Sequence, residues 1–155
     1  MTLADEDVRR AQGWCTLAAL HNRIEDRLER ALQASHQLSV REYGVLLTLS
    51  TQVEHHLRMN QLADAVVLSQ SATTRLVNRL EDRGLLRRYL CPTDRRGIYT
   101  EVTEAGFALL EAARPVNDAE LAKALGEAAG NPEFAPLVRA LSAEPSNPCP
   151  DGGNC

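Results

Sequence analysis

Residues 69–106 constrain this chain more than any other stretch. They open on a polar, cappable helix start, Ser69-Gln70-Ser71-Ala72-Thr73-Thr74-Arg75-Leu76-Val77-Asn78-Arg79-Leu80-Glu81. Arg83-Gly84-Leu85-Leu86-Arg87-Arg88 follows, then Asp94-Arg95-Arg96-Gly97 and Val102-Thr103-Glu104-Ala105-Gly106. At about 100° per residue, Ala72, Leu76 and Leu80 fall on one side of a helix and Ser71, Thr74 and Asn78 on the other. The outward side thus carries small hydrogen-bonding groups where an ordinary solvated helix carries Lys/Glu pairs, and such groups suit base edges and phosphates. Gln70 and Arg75 flank its start. Glu81 and Asp82 stand at its far end, clear of phosphate if the helix enters a groove N-terminus first. Leu85–Leu90 and Ile98–Val102 have strand length and composition, and Pro92, Asp94 and Gly97 supply turn chemistry between them. Arg95 and Arg96 are expected at an exposed loop tip fitted to a narrow minor groove, with Asp94 holding one guanidinium in place. The spacing predicts a winged helix-turn-helix, mainly α with a small β-hairpin wing. The structural alternatives are a plain capped amphipathic helix and an Asp94–Arg96 pair that serves only the turn.

Charge points to the same segment. The chain has 17 Lys+Arg against 21 Asp+Glu, a formal net charge of −4, which alone disfavours a nucleic-acid partner. Residues 69–96 reverse the balance: seven arginines (75, 79, 83, 87, 88, 95, 96) face three acids (81, 82, 94), a local +4 that leaves ten basic and eighteen acidic residues elsewhere. A basic face on an acidic body binds phosphate while the body resists non-specific collapse onto DNA.

The remainder reads mostly as helix. A long helix over about 5–34 has an apolar stripe drifting from Val8, Ala11, Cys15 and Ala18 to Leu20, Ile24, Leu28 and Ala31, which calls for two packing partners. Ser39-Val40-Arg41-Glu42 is a capping box opening a helix through Tyr43, Val45, Leu46 and Leu49. Asn60–Val67 is a short third helix, placed to be the first element of the helix-turn-helix. Thr103 caps a helix to about Leu125, with Gly106 in its first turn where low helix propensity costs least. Asn131-Pro132 reads as an N-cap with Pro at N1 of a last helix holding Phe134, Leu137, Val138 and Leu141. One domain over 1–142 is expected, with 155 residues and 44% hydrophobic content to build its core. Within it, about 36–102 form the winged helix-turn-helix, and 5–34 and 103–142 are terminal helices whose excess apolar surface is expected to pair with a second copy. The Pro/Gly-rich residues 143–155 read as a disordered tail.

Several classes are disfavoured. No apolar run approaches the roughly 18–20 residues needed to span a bilayer, and the acidic start Met1–Asp7 is no signal sequence, so a cytoplasmic protein without a membrane partner is expected. The chain lacks a phosphate-binding Gly loop, a G-x-S-x-G elbow and an H-E-x-x-H pair, so neither an enzyme nor a cofactor is expected. A helical protein-interaction module is the stronger rival, disfavoured by the Arg95-Arg96 wing and the uncharged Ser71/Thr74/Asn78 face. His55-His56 reads as loop surface, and no metal is expected.

The string Asp94-x-Arg96-x5-Val102-Thr103-x-x-Gly106, preceded by Thr74–Glu81 and Gly84–Arg88, resembles the winged-helix core of the MarR (multiple-antibiotic-resistance regulator) family of bacterial transcription factors. The resemblance covers about residues 8–142. It implies a homodimer that binds pseudo-palindromic operators in double-stranded DNA, usually as a repressor released by a small molecule or by oxidation. The DNA-binding set is then Ser69, Gln70, Ser71, Thr73, Thr74, Arg75, Asn78, Arg79, Arg95 and Arg96, with Asp94 supporting the wing. Val102 stands where the family often has Leu, and Gln70-Ser71 departs from the family pattern in a way that bears on which bases are read.

Two sensing routes follow. Cys15 occupies a place on the first helix similar to the reactive cysteine of the hydroperoxide-sensing branch, yet the tyrosines that branch uses would fall near Ala19 and Glu29. Cys15 is therefore read chiefly as a core or pocket cysteine, with redox sensing as the alternative. The favoured effector site is a pocket where Trp14, Cys15, His21 and Arg23 meet groups around Tyr43 and Leu47, suited to a small aromatic or anionic ligand by stacking and bidentate pairing; taken singly, Trp14 reads as dimer core and Arg23 as a surface ion pair with acids such as Asp26. Cys91 is expected at the wing base near Arg87, Arg88 and Arg95, which can lower its pKa, and is read chiefly as a bystander. Cys149 and Cys155 have the wrong spacing for a zinc knuckle.

Overall fold

A computed structural model describes residues 3–143, and for Leu3, Arg95 and Arg96 the backbone alone. In chain order the elements are α1 (Leu3–His36), α2 (Val40–Ser50), a 3-10 turn at Val53–His55, β1 (His56–Arg58), α3 (Met59–Ala65), α4 (Gln70–Asp82), β2 (Leu86–Cys91), β3 (Asp94–Val102), α5 (Glu104–Ala129) and α6 (Ala135–Ser142). Local capping explains most of the helix starts. Ser39 Oγ accepts from Glu42 N at 3.0 Å while Glu42 Oε2 accepts from Ser39 N at 2.9 Å, the reciprocal box its spacing predicts. Ser69 Oγ accepts from Ala72 N at 3.2 Å, and Thr103 Oγ1 from Gly106 N at 3.1 Å. The last helix departs from expectation. Asn131 Oδ1 does accept from Glu133 N at 2.9 Å, but the amides of Phe134 and Ala135 both return to Asn131 O, closing a turn. Helix α6 therefore starts at Ala135, with Phe134 at its N-cap and Pro136 in its first turn.

The chain divides into two compact units whose boundaries fall inside α1 and α5. Residues 24–122 form the first. Its antiparallel sheet has strand order β1-β3-β2, with Leu86 facing Val102 and Tyr89 facing Tyr99 in the hairpin. β1 is a strand where His55-His56 led us to expect loop surface: His56 pairs with Glu101 and Arg58 with Tyr99. Three residues are too few to show an alternating pattern, which is why composition misses it. The core joins Leu32 and Leu38 to Tyr43, Val45, Leu46 and Leu49 of α2, Leu62 of α3, Leu76, Val77 and Leu80 of α4, and Leu110 of α5. Full burial of such side chains contributes roughly 1.5–3 kcal/mol each.

The second unit comprises the described residues up to 23 and from 123 onward. Leu20, Ala124, Ala128, Phe134 and Val138 are its buried residues, and the Arg23 guanidinium lies over the Phe134 ring at 5.5 Å. Val8, Trp14, Leu17 and Leu141 of the same unit are exposed. No described helix is long and apolar enough to cross a membrane.

Two backbone positions show how tightly the first unit is specified. A Cβ on Gly106 would lie 2.2 Å from Leu85 O and 2.7 Å from Val102 Cγ1, so this position admits only glycine for reasons of contact, beyond its tolerance in a first helical turn. Val67, in the turn between α3 and α4, has φ 55° and is 87% exposed. A β-branched residue there carries left-handed strain of roughly 1–2 kcal/mol, with no burial to offset it. Val67→Gly should remove that strain, lose part of the gain to unfolded-chain entropy, and raise the melting temperature by roughly 2–4 °C, about 1 kcal/mol net. A lower melting temperature in calorimetry would show that the Val67 side chain stabilises the turn instead.

Candidate nucleic-acid interface

Helix α4 packs through Thr73, Leu76, Val77 and Leu80, all buried, and exposes Gln70, Ser71, Thr74, Arg75 and Asn78. The buried stripe is centred one position later than the Ala72/Leu76/Leu80 phase, and Ala72 is half-buried. This corrects Thr73, which was expected to face DNA. It is fully buried, and its Oγ1 donates to Ser69 O at 2.9 Å, so neither its position nor its proton is available to a base. Thr74 Oγ1 donates to Gln70 O at 2.9 Å, which leaves its oxygen lone pairs and methyl group facing out. Ser69 holds the helix start through its cap and lies 3.3 Å from Ser71 Oγ. Gln70, Arg75 and Asn78 have no side-chain hydrogen bond or ion pair among the described residues, so their donors and acceptors stand open on one exposed face.

The wing is built differently from a simple tip. Leu90 pairs with Ile98 but the next residue, Cys91, pairs with Asp94, so residues 95–97 bulge from β3 without partners on β2. The backbone of Arg95 and Arg96 thus lies in a strand bulge just past the tight turn. Asp94 supports the wing as expected, through a partner the sequence reading missed: it forms an ion pair with Arg58 of β1. Arg58 Nε also donates to Tyr99 OH at 2.9 Å, and its guanidinium lies 5.5 Å from that ring's centre. Tyr99 stacks on Tyr89, and His56 meets both rings, its Nδ1 hydrogen-bonded to the Tyr89 hydroxyl. His55 lies edge-on to Phe107 with its Nδ1 2.9 Å from Ser50 O. The two histidines therefore help to seat the sheet. Burial pushes the Tyr89 phenol above its ordinary value, and the nearby Glu101 charge adds to the effect.

Folding also narrows the basic face. Arg79 Nε lies 3.4 Å from Glu42 Oε1, Arg83 pairs with Glu42 Oε2 at 3.7 Å, Arg87 pairs with Glu101, and Arg88 Nε donates to Glu81 at 2.7 Å. Four of the seven arginines counted in residues 69–96 are thus already matched by carboxylates, two of which (Glu42 and Glu101) lie outside that segment. Arg75 is not. It helps to line a cavity of about 550 Å³ with Glu25, Asp26, Glu29, Ser39, Arg41, Leu68, Ala72, Leu76 and Arg79.

None of the five residues expected to form an effector pocket lines this cavity. Tyr43 is a core side chain of the first unit, its phenol raised by burial and then by the Asp118 charge. Trp14, Cys15, His21 and Arg23 are exposed and belong to the other unit, where Arg23 covers Phe134. Cys15 is accordingly a surface residue of this chain, where a packed one was expected. Cys149 and Cys155 lie outside the described residues. Among the described residues no cluster of His, Cys, Asp or Glu has metal-holding geometry.

A short helix, a turn, a second helix exposing uncharged polar groups, and a hairpin with an arginine-bearing bulge define the winged helix-turn-helix class of regulator. The family follows from comparison. Residues 36–97 match the model of the MarR family. The HTH-type transcriptional regulator PecS of Dickeya dadantii is 32% identical over 93 residues, which are 57% of this chain and 56% of PecS. The HTH-type transcriptional regulator MhqR of Bacillus subtilis is 31% identical over 105 residues, 68% of this chain and 70% of MhqR. Sco3205, a MarR family transcriptional regulator from Streptomyces coelicolor solved in complex with DNA, superposes with a TM-score of 0.73 at 27% identity, covering 92% of this chain and 86% of that one. The chain belongs to the MarR family, a family of transcriptional regulators rather than enzymes. It spans little more than half the length of PecS.

Cys91 offers a direct check on the wing geometry. Its Sγ lies 3.1 Å from Thr93 Oγ1, and hydrogen bonds from Thr93 hold the thiol below its ordinary pKa, with a smaller contribution from Arg58. Of the three expected causes, Arg87, Arg88 and Arg95, the first two are instead paired with Glu101 and Glu81. Thr93→Val should raise the Cys91 pKa, lower its thiolate fraction near neutral pH and slow its alkylation, measured on the isolated Cys91 peptide by mass spectrometry. An unchanged rate would show that Thr93 does not stabilise the thiolate.

Proposed function

We propose that this chain is a cytoplasmic, homodimeric, sequence-specific binder of double-stranded DNA that represses transcription from a pseudo-palindromic operator and is released by a small aromatic or anionic ligand. The observation that carries the reading is the exposed face of α4, where Gln70, Ser71, Thr74, Arg75 and Asn78 offer hydrogen-bonding groups with few internal partners. An ordinary solvated helix has no use for such a run, whereas a major groove does. The Arg95-Arg96 bulge supplies charge for the neighbouring minor groove. Val8, Trp14, Leu17 and Leu141 leave apolar surface on the terminal unit that a second copy would cover. Two winged helices seated on promoter DNA obstruct polymerase directly, which makes repression the simplest sign of regulation.

Asn78→Ala should lose about 1–3 kcal/mol on the cognate site and little on random duplex. Arg96→Ala should weaken both and reduce the slope of log K against log salt by about one unit. Equal losses on both duplexes for Asn78→Ala would remove α4 from base reading.

The cavity beside α4 favours the ligand arm of this reading. Leu68, Ala72 and Leu76 give it apolar wall, and Arg75 gives it a guanidinium with no ion pair among the described residues, while two of its carboxylates are engaged, Glu25 by Arg41 and Glu29 by Val40 N. An aromatic carboxylate seated there would compete with phosphate for Arg75. It would favour the DNA-free state by about 1–3 kcal/mol, the usual scale of allosteric coupling. A benzoate-class acid should therefore release bound operator from wild type and fail to do so from Leu68→Trp, which narrows the cavity without touching the exposed face of α4. Release by stoichiometric organic hydroperoxide that is lost in Cys15→Ser would instead establish a thiol switch at exposed Cys15.

A further inference from the structure

Glu42 is almost fully buried, and its carboxylate does three things at once. One oxygen accepts from Ser39 N at 2.9 Å and lies 3.7 Å from Arg83 Nη1, and the other lies 3.4 Å from Arg79 Nε. Arg83 Nη1 also donates at 2.9 Å to the carbonyl of Gln37, the left-handed residue that ends α1. The corner where α1 passes into α2 thus grips α4 at two successive turns through a single acidic side chain. The capping box alone needs only a hydrogen-bond acceptor at this position, which glutamine supplies equally well. The negative charge has a different use.

We propose that Glu42 is a positioning residue for DNA recognition: through Arg79 and Arg83 it fixes α4 against the α1–α2 corner, and it withholds the charge of Arg79 from the phosphate backbone. This rests on α4 being the helix that enters DNA. Arg79 stands one position beyond Asn78 on α4, and its side chain is 58% exposed. Released from Glu42, it is long enough and exposed enough to reach for phosphate. A phosphate contact strengthens binding to every sequence alike. With the carboxylate in place, α4 is held rigidly and contributes hydrogen-bonding groups rather than added charge.

The test is the salt dependence of binding to random duplex by wild type, Glu42→Gln, Arg79→Gln and the double variant, alongside binding to the cognate site. Glu42→Gln keeps the cap and leaves Arg79 and Arg83 solvated, so its melting transition should remain cooperative. Its slope of log K against log salt should steepen by about 0.9, the signature of one added phosphate contact, and its cognate-to-random ratio should fall. Adding Arg79→Gln should return the slope to the wild-type value. A merely structural role would weaken binding without steepening the slope. If Glu42→Gln loses its cooperative melt, Arg79→Gln alone decides: an unchanged slope supports the withheld charge, and a slope shallower by about 0.9 overturns it. An unchanged slope in well-folded Glu42→Gln, or a steeper one that persists in the double variant, also overturns it. Wild type that shows no salt-dependent duplex binding would instead defeat the DNA-binding reading itself.

Discussion

The angle between α4 and the wing is set at one crowded corner, where the end of α4, the start of β2 and the start of α5 meet. Thr103 donates its backbone N–H to Leu85 O at 3.1 Å and its hydroxyl to Gly84 O at 2.6 Å, while its Oγ1 caps Gly106 N. Gly84 takes φ 73° to turn the chain, with Leu85 N returning to Leu80 O at 2.9 Å. Gly106 then passes so close to Leu85 that no side chain fits. Each contact is short-range, yet together they leave the hairpin little freedom to swing. The core beneath, from Leu46 and Leu49 through Leu62 to Val77 and Leu80, completes the platform.

Electrostatics on that platform are more restrained than the composition suggests. Arg79, Arg83, Arg87 and Arg88 each meet a carboxylate, and Arg58 meets Asp94. Of these, the solvent-facing Arg87–Glu101 pair contributes little to stability, typically below about 1 kcal/mol. If the chain binds DNA as proposed, each pair also offsets a charge that would otherwise attract any duplex. In the proposed reading, the open hydrogen-bonding groups on α4 and the arginines of β3 are left to carry recognition, a division that would favour sequence over mere phosphate density.

Much of this was legible in the sequence because it depends on near neighbours. The Ser39/Glu42 box, the Ser69 and Thr103 caps and the hairpin are written within a few residues, and the solved relatives share the resulting winged helix. What the sequence hid depends on distant partners. β1 is only three residues long and exists because β3 offers an edge. Arg58 lies in no motif of the sequence, and its role comes from Asp94, a partner 36 residues away on the neighbouring strand. Thr73 was misplaced because its burial depends on where α4 lies on α2 and α3, which shifts the packed stripe by one position. Glu42 was seen as half of a cap, with no local signal that it also binds two arginines some forty residues later.

The central claim is that two copies of this winged helix read DNA together. The most direct measurement is the stoichiometry and affinity of the full chain on a duplex carrying its palindromic site, compared with the same site after an insertion of about 5 bp between half-sites. The account predicts two chains per duplex with half-sites about 10 bp apart centre to centre, and loss of tight binding when the insertion rotates one half-site by about half a turn. Chains that bind each half-site independently, as tightly to a lone half-site as to the full site and with affinity indifferent to the insertion, would contradict it.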